Sequence, residues 1–140
     1  MKLIGLDVGD RRIGVAFGES DLRMATPVDV IVRGAFEQDA RAINIFVKNY
    51  DAAQIVIGLP RNMDGTLGDQ AKSVIAYAEK ITRVINVPLV FWDERLTTVE
   101  ATRRTHETGA RGKKSRRGID AIAASLILQD YLDSQSYENL

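Results

Sequence analysis

Hydrophobic residues near the start of the chain fall in short runs with the spacing of β-strands. Two such runs, Lys2 to Val8 and Arg12 to Phe17, are separated by the turn-forming residues Gly9-Asp10-Arg11. They predict a β-hairpin. In Ala25 to Val32, three valines at alternate positions would share one face, which predicts a third strand at the edge of the sheet.

Helical and strand-like patterns alternate through the middle of the chain. Ala35 to Tyr50 and Asp69 to Ile85 carry apolar residues at helical spacing. Gln54 to Gly58 and Val87 to Trp92 are short continuous apolar runs, which are typical of strands buried on both faces, and the first should be central and parallel. Between them, Leu59 to Gly68 is rich in turn formers and predicts a loop at a strand end.

Two more helices are predicted in the last third of the chain. Thr97-Thr98-Val99-Glu100 matches a capping box and opens a helix that ends near Gly109. Gly118 to Leu132 is apolar on nearly every face, so this helix should be largely buried. The elements together predict an α/β fold, with a mixed central sheet flanked by helices. We expect one domain over residues 1–132 and a polar tail at 133–140.

The composition is that of a folded protein without cysteine chemistry. The 140 residues are 45% hydrophobic and 27% charged, as in ordinary globular domains. The absence of cysteine excludes disulfides, thiolate zinc sites and a cysteine nucleophile. Asp7 and Asp10 interrupt the first apolar run too early for a signal peptide or a membrane span, so we expect a cytoplasmic protein.

Charge is distributed unevenly along a chain whose net charge is zero. Between Ala101 and Gly118, seven Lys and Arg residues accompany one acid, Glu107, so this stretch carries about +6 (7 − 1). Within it, Arg111 to Arg117 predicts a basic loop directly before the last helix. Basic runs are usually solvated surface, but this position favours contacts with a phosphate backbone.

Two acids follow predicted strands. Asp7 ends the first strand and precedes Gly9, which would let a ligand approach the backbone, although a turn-capping role explains Asp7 equally well. Glu94 follows Val87 to Trp92, and its neighbour Asp93 should point the opposite way. Taken alone, Glu94 fits a solvated acidic turn better than a functional site.

A third acid, Asp120, falls in the first turn of the apolar helix. Burying a carboxylate there is costly unless a charge or a metal compensates it, while a contact with the helix N-terminus is the competing explanation. Three acids at the ends of separate elements are what Mg²⁺ or Mn²⁺ would require. Such carboxylates can hold two ions roughly 3.5 to 4 Å apart for in-line hydrolysis of a phosphodiester.

Other polar residues are candidates for substrate binding. Ser115 would donate to a phosphate or cap the last helix, and the 59–68 loop would orient a nucleotide or serve as a connector. His106, the only histidine, is expected to be exposed rather than catalytic. The candidate substrate-binding residues are Arg11, Arg61, Asn62, Lys113, Lys114, Ser115, Arg116 and Arg117.

Four segments together carry a resemblance to a known family. They are GLDVGDRRIGVA at 5–16, IVIGLPRNMDGTLG at 55–68, WDERLTTVEA at 92–101 and KKSRRGIDAIAASLILQDYL at 113–132. In this order and spacing they resemble the YqgF family, also called RuvX, over nearly the whole chain.

The resemblance implies a ribonuclease H-like fold, a cytoplasmic location and a nuclease that matures the small-subunit (16S) ribosomal RNA precursor. Relatives have also been proposed as Holliday junction resolvases and transcription-related factors. The implied partners are precursor rRNA or branched DNA and ribosomal particles, with no membrane. By position, Asp7, Glu94 and Asp120 resemble the family's catalytic, metal-binding triad, and the preference for Glu94 over Asp93 rests partly on this likeness.

Two other classes compete with a nuclease. Sugar kinases and actin-like ATPases also begin with an Asp-x-Gly pattern, but they join two such domains and 140 residues supply one. A non-catalytic nucleic-acid or ribosome-assembly module would keep the fold and the basic stretch. The presence of all three acids favours the enzyme.

Overall fold

The computed structural model describes residues 1–96 and 113–138, and within them one five-stranded sheet organises the fold. The strand order is β3-β2-β1-β4-β5. β1 pairs antiparallel with β2 and β2 with β3, whereas β1 pairs parallel with β4 and β4 with β5. The strands are β1 Lys2–Val8, β2 Arg12–Glu19, β3 Met24–Val32, β4 Gln54–Leu59 and β5 Leu89–Asp93. The predicted hairpin, the edge position of β3 and the interior parallel position of β4 are confirmed.

Helices cover both faces of the sheet. They are α1 Phe36–Asn49, α2 Asp69–Val84 and α3 Lys113–Glu138, and a short 3-10 helix, Glu94–Leu96, follows β5. None of the helices in the described part of the chain combines the length and hydrophobicity that crossing a lipid bilayer requires.

The larger core lies between the sheet and the helices α1 and α2. Because side chains alternate along a strand, one face of β1, β2 and β4 presents a continuous layer of aliphatic residues. The layer consists of Ile4, Leu6, Val8, Ile13, Val15, Ile55, Ile57 and Leu59. The amphipathic faces of α1 and α2 cover it, with Ile43, Val47, Val74 and Ile81 buried at the contact.

The opposite face of the sheet carries α3. Glycines on this face leave room for the helix, because a Cβ atom on Gly5 would lie 2.9 Å from Leu128 and one on Gly18 would lie 2.8 Å from it. Leu3, Ala16 and Val56 complete the surface against Ala124, Ile127 and Leu128. We call this the α3 face.

The structure corrects two predictions about strands. The run containing β5 was expected to be buried on both faces, but β5 is an edge strand and Phe91 is 40% exposed. In β3 the three valines do not share a face, because a bulge opposite Val15 and Ala16 skips Val28 and shifts the alternation. Val28 and Ile31 therefore pack on the same core, while Val32 is exposed.

The last helix begins earlier than predicted. Lys113 to Arg117 form its start and not a loop, so Asp120 lies in the interior of α3 and not in its first turn. This removes the helix N-terminus as an explanation for Asp120. The helix also continues through 133–138, which the sequence assigns to a tail. The helix predicted from Thr97, together with His106 and Arg111, lies outside the described residues.

Candidate functional site

The site is built around Asp7, which lies near the carboxyl end of β1 and is 8% exposed. Its partner in the antiparallel register is Gly14 on β2. On the other side, β1 pairs with β4 up to Leu6 and Ile57, and extending that register by one residue sets Gly58 beside Asp7. Asp7 is therefore flanked by glycine on both neighbouring strands, on the α3 face of the sheet.

Gly14 brings the second acid to Asp7. The space that a Cβ atom on Gly14 would fill is occupied by the backbone carbonyl of Asp120. No residue with a side chain would permit this approach without moving α3. The glycine thus places Asp120 beside the strand position directly opposite Asp7.

Gly58 does the same for the third acid. Glu94 Oε1 and Ile127 Cδ1 each lie 2.5 Å from the position of a Cβ atom on Gly58, and Glu94 is only 2% exposed. The short 3-10 helix after β5 turns this carboxylate back over the sheet. The Asp120 backbone and the Glu94 carboxylate thus lie over the two glycines on opposite sides of Asp7.

Asp93 points away from this group. Its carboxylate accepts hydrogen bonds from Arg95 Nε at 2.9 Å and from the Arg95 backbone N–H at 3.0 Å, and it is 2.8 Å from Nη2. The hydrogen bonds from Arg95 are the main cause that lowers the pKa of Asp93 below its ordinary value. The structure therefore places Glu94, and not Asp93, on the α3 face.

Arg12 is a site residue that the sequence did not single out. Its Nε donates to Asp120 Oδ2 at 2.6 Å, and the two side chains are 31% and 24% exposed. Both line a cleft of about 250 Å³ together with Gly9, Asp10 and Arg11. The two partners are 108 positions apart in the chain, so only the packing of α3 on the sheet could reveal the pair.

The turn that lines this cleft is held by Arg33, which directly follows β3. The backbone N–H of Arg33 donates to the Arg11 carbonyl at 2.9 Å, and Arg33 Nη1 donates to the Gly9 carbonyl at 2.7 Å. The Arg33 guanidinium stacks over Tyr77, 4.5 Å from the ring centre. Arg33 thereby links the Gly9 to Arg12 turn to α2, a role that no sequence motif indicates.

The donor set suits a hard divalent cation, since all three acids offer carboxylate oxygens. Within residues 1–96 and 113–138, however, no three Asp, Glu, His or Cys side chains lie close enough together to hold one ion. Asp120 binds Arg12 instead, and the guanidinium supplies positive charge at this position. The residues fit Mg²⁺ or Mn²⁺ in donor type, and an ion shared by all three would require their carboxylates to move closer together.

The predicted substrate-binding residues fall into three groups. Arg11 lines the cleft beside Arg12. Arg61 and Asn62 follow β4, but their described bonds are internal to their loop: Arg61 Nη1 donates to the Gly65 carbonyl and Asn62 Nδ2 to Thr66 Oγ1. The last group, Lys113, Lys114, Ser115, Arg116 and Arg117, starts α3, one to two turns before Asp120.

Comparison with known proteins gives consistent results. The model of the family described as RuvX, Holliday junction resolvase, matches residues 1–134. A protein of Caldanaerobacter subterraneus subsp. tengcongensis named "Putative pre-16S rRNA nuclease" is 46% identical over 137 residues, 96% of this chain and 98% of the relative. A protein of the same name from Thermoanaerobacter pseudethanolicus is 42% identical over 136 residues, with the same coverage.

Solved structures agree on the fold. Thermus thermophilus RuvC, in complex with a Holliday junction substrate, superposes with a TM-score of 0.61 at 10% identity, over 97% of this chain and 96% of that one. The fowlpox virus resolvase complex gives 0.53 at 9% identity, over 96% and 99%. The predicted ribonuclease H-like fold is confirmed.

Proposed function

Because this chain belongs to the RuvX family, we propose that it is a metal-dependent endonuclease that cuts structured nucleic acid during maturation of the 16S ribosomal RNA precursor. Near full-length similarity to relatives named for that activity supports the choice of substrate. The proposed setting is cytoplasmic, on precursor rRNA that is free or part of a ribosomal particle.

One observation carries the proposal. Asp7 lies between two glycines, and the elements that bear Asp120 and Glu94 close over those glycines from opposite sides. Burying a carboxylate destabilises a protein unless hydrogen bonds or cations compensate it, and two of these three acids, Asp7 and Glu94, are buried. An arrangement of this kind is expected of a site that binds metal and not of a packing surface.

Asp7, Glu94 and Asp120 would hold Mg²⁺ or Mn²⁺, which when bound would activate water and stabilise the leaving oxygen of a phosphodiester. The chain's own residues orient the substrate. The two arginines of the cleft, Arg11 and Arg12, carry the charge that a phosphate needs beside Asp120. The rigid turn held by Arg33 keeps that cleft next to the carboxylates.

The basic residues at the start of α3 would hold the flanking backbone. Changing Lys113, Lys114 and Arg116 together to Ala should weaken binding and flatten its salt dependence. If each contacts a phosphate, the slope of log K against log salt falls by about two to three units. An unchanged slope would remove these residues from the interface.

A four-way DNA junction is the second candidate substrate, because the family description names Holliday junction resolvase. The two substrates can be offered side by side to the same purified chain. We expect faster metal-dependent cleavage of a 16S precursor fragment than of a junction. The reverse preference would replace the rRNA assignment and keep the nuclease.

The experiment measures cleavage of both labelled substrates with Mg²⁺, Mn²⁺ or EDTA. A matched pair of variants tests the site: Glu94→Gln changes a buried acid of the α3 face, and Asp93→Asn changes its neighbour, which is bound to Arg95. The first should abolish cleavage and the second should retain most of it. No cleavage of either substrate by wild type in any metal would favour a non-catalytic binding module.

A further inference from the structure

We infer that Arg12 is an exchangeable partner of Asp120: it neutralises this carboxylate in the metal-free protein and binds a substrate phosphate once a divalent cation has taken its place. The inference rests on the proposed function and adds a coupling between metal and substrate binding through one side chain.

The guanidinium has unused capacity in the contact that it makes. Arginine offers five N–H donors, and Asp120 takes only the Nε donor of Arg12. In the portion of the chain that the structure describes, the two Nη groups have no hydrogen-bond partner. Arg12 lines the cleft together with Gly9, Asp10 and Arg11, and paired Nη donors match a phosphate.

The carboxylate can exchange its partner without moving the fold. The backbone of Asp120 packs against Gly14. A change of partner from Arg12 to a metal ion therefore needs only a rotation of the Asp120 side chain. The ion pair is partly exposed, and pairs of this type contribute little to stability. A divalent cation at the same oxygen would repel the guanidinium, so metal binding releases Arg12.

Release leaves the guanidinium of Arg12 where it can bind a substrate phosphate. Arg12 begins β2, and its freed side chain would stay beside the same cleft as Arg11. Because the coupling is reciprocal, a bound phosphate that holds Arg12 must also favour metal at Asp120. Metal and nucleic acid should therefore bind more tightly together than separately.

The test compares Arg12→Gln with Arg11→Gln by calorimetric titration of Mn²⁺ in the absence of nucleic acid. Both variants remove one positive charge from the same cleft, but only the first removes the partner of Asp120. Arg12→Gln should bind Mn²⁺ about two- to fivefold more tightly than Arg11→Gln, a ratio equivalent to a partly exposed ion pair. Arg12→Lys, which keeps a competing cation, should stay near wild type and serves if the Gln variant folds poorly.

A second measurement tests whether the Arg12 guanidinium contacts a phosphate, through the salt dependence of DNA binding. With Ca²⁺ bound, Arg12→Gln should lower the salt slope for junction DNA by about 0.9 units, whereas in EDTA the slope should hardly change. In the Asp120→Asn background, the Arg12 change should lower the slope even in EDTA. An Arg12 that contacted phosphate in every state would instead lower the slope equally with Ca²⁺ and in EDTA, and that result would contradict the exchange.

The outcomes distinguish this inference from the function on which it rests. Wild-type Mn²⁺ binding with equal affinities for Arg12→Gln and Arg11→Gln would overturn the exchange and leave the nuclease intact. Failure of wild type and Arg12→Gln alike to bind Mn²⁺ would overturn both.

Discussion

The two faces of the sheet pack against their helices in different ways. Toward α1 and α2 the strands present Ile, Leu and Val, and the helices stand off on large side chains. Toward α3 the same strands present Gly5, Gly14, Gly18 and Gly58, and the helix backbone nearly touches the sheet. The first arrangement buries apolar area and stabilises the fold, while the second sets the distance between α3 and β1.

Each face also buries acid, with different surroundings. On the α1/α2 face, Asp39 is 2% exposed and accepts hydrogen bonds from the Gly34 backbone N–H and the Tyr77 hydroxyl, with Arg33 at 3.9 Å. Burial and Asp39 together raise the pKa of Tyr77, which remains a neutral donor. This one acid is surrounded by structural donors, whereas the α3 face buries Asp7 and Glu94 and holds Asp120 at the cleft with Arg12. The buried acid of the α1/α2 face thus has donors that account for its burial, whereas the acids of the α3 face are the proposed metal ligands.

Gly14→Ala is the substitution that we expect to disturb the α3 face most. The added methyl would occupy the space of the Asp120 carbonyl, so α3 must move. We expect a loss of about 3 kcal/mol in the free energy of unfolding, the upper end of the usual cost of overpacking, and lost cleavage. Urea unfolding measures it, and a loss below about 1 kcal/mol would show that the close approach is not needed.

Metal should stabilise the α3 face alone. Mn²⁺ at ~100 times its dissociation constant adds roughly 2.7 kcal/mol to wild type if only the folded state binds it. Asp120→Asn should gain distinctly less. Repulsion among the acids would make this variant more stable without metal, but the Arg12 pair opposes that, so we expect a change within about 1 kcal/mol. Thermal melts of both proteins in EDTA and in Mn²⁺ measure these changes. Equal increases in Tm on adding Mn²⁺ to wild type and to Asp120→Asn would exclude Asp120 as a ligand.

Asp39→Asn examines the other face. It weakens the charge-assisted bond from Tyr77, which should cost about 1.5 kcal/mol of stability. Cleavage per folded molecule should stay near wild type, because Arg33 can keep its bonds to the Gly9 and Arg11 carbonyls without the charge of Asp39. Chemical denaturation and an activity assay below the melting temperature measure the two effects. Lost cleavage in a folded variant would show that the two faces are not independent.

The smallest effect is expected at Gly118, the matched control for Gly14. It lies inside α3, is exposed, and a Cβ atom there would have no heavy atom within 4 Å. Gly118→Ala should therefore raise stability by about 0.5–1 kcal/mol through helix propensity. Destabilisation would contradict the helical start of α3.

Local patterns were enough to predict the five strands and the helices α1 and α2, whereas the place of β5 in the sheet and the bulge of β3 depend on tertiary contacts. The apolar runs around Gly9-Asp10-Arg11 specify a hairpin whatever the partner strands are, and the helical period of α1 depends only on its own residues. The apolar run of β5 looks the same for an interior as for an edge strand, so its place required the strand order. The bulge at Val28 likewise depends on pairing with β2.

The candidate site divides in the same way. The positions of Asp7 near the end of β1 and of Glu94 after β5 were predicted from the sequence, whereas Asp120 lies inside α3 and not at its end, and the roles of all three remain predictions. The pairing of Arg12 with Asp120 depends on a helix packed on glycines 108 positions away in the chain. Gly14 and Gly58 sit inside apolar runs, where a missing side chain could have indicated a close approach.

Cleavage of a labelled 16S precursor fragment by Asp7→Asn, compared with wild type in Mg²⁺ or Mn²⁺, tests the central claim most directly. The amide is a poorer metal ligand than the carboxylate but removes no basic contact. We predict that kcat falls by at least about 100-fold, as expected when several kcal/mol of metal stabilisation is lost, while binding measured in EDTA stays near wild type. Metal-dependent cleavage retained at the wild-type rate would contradict the assignment of the α3 face as the nuclease site.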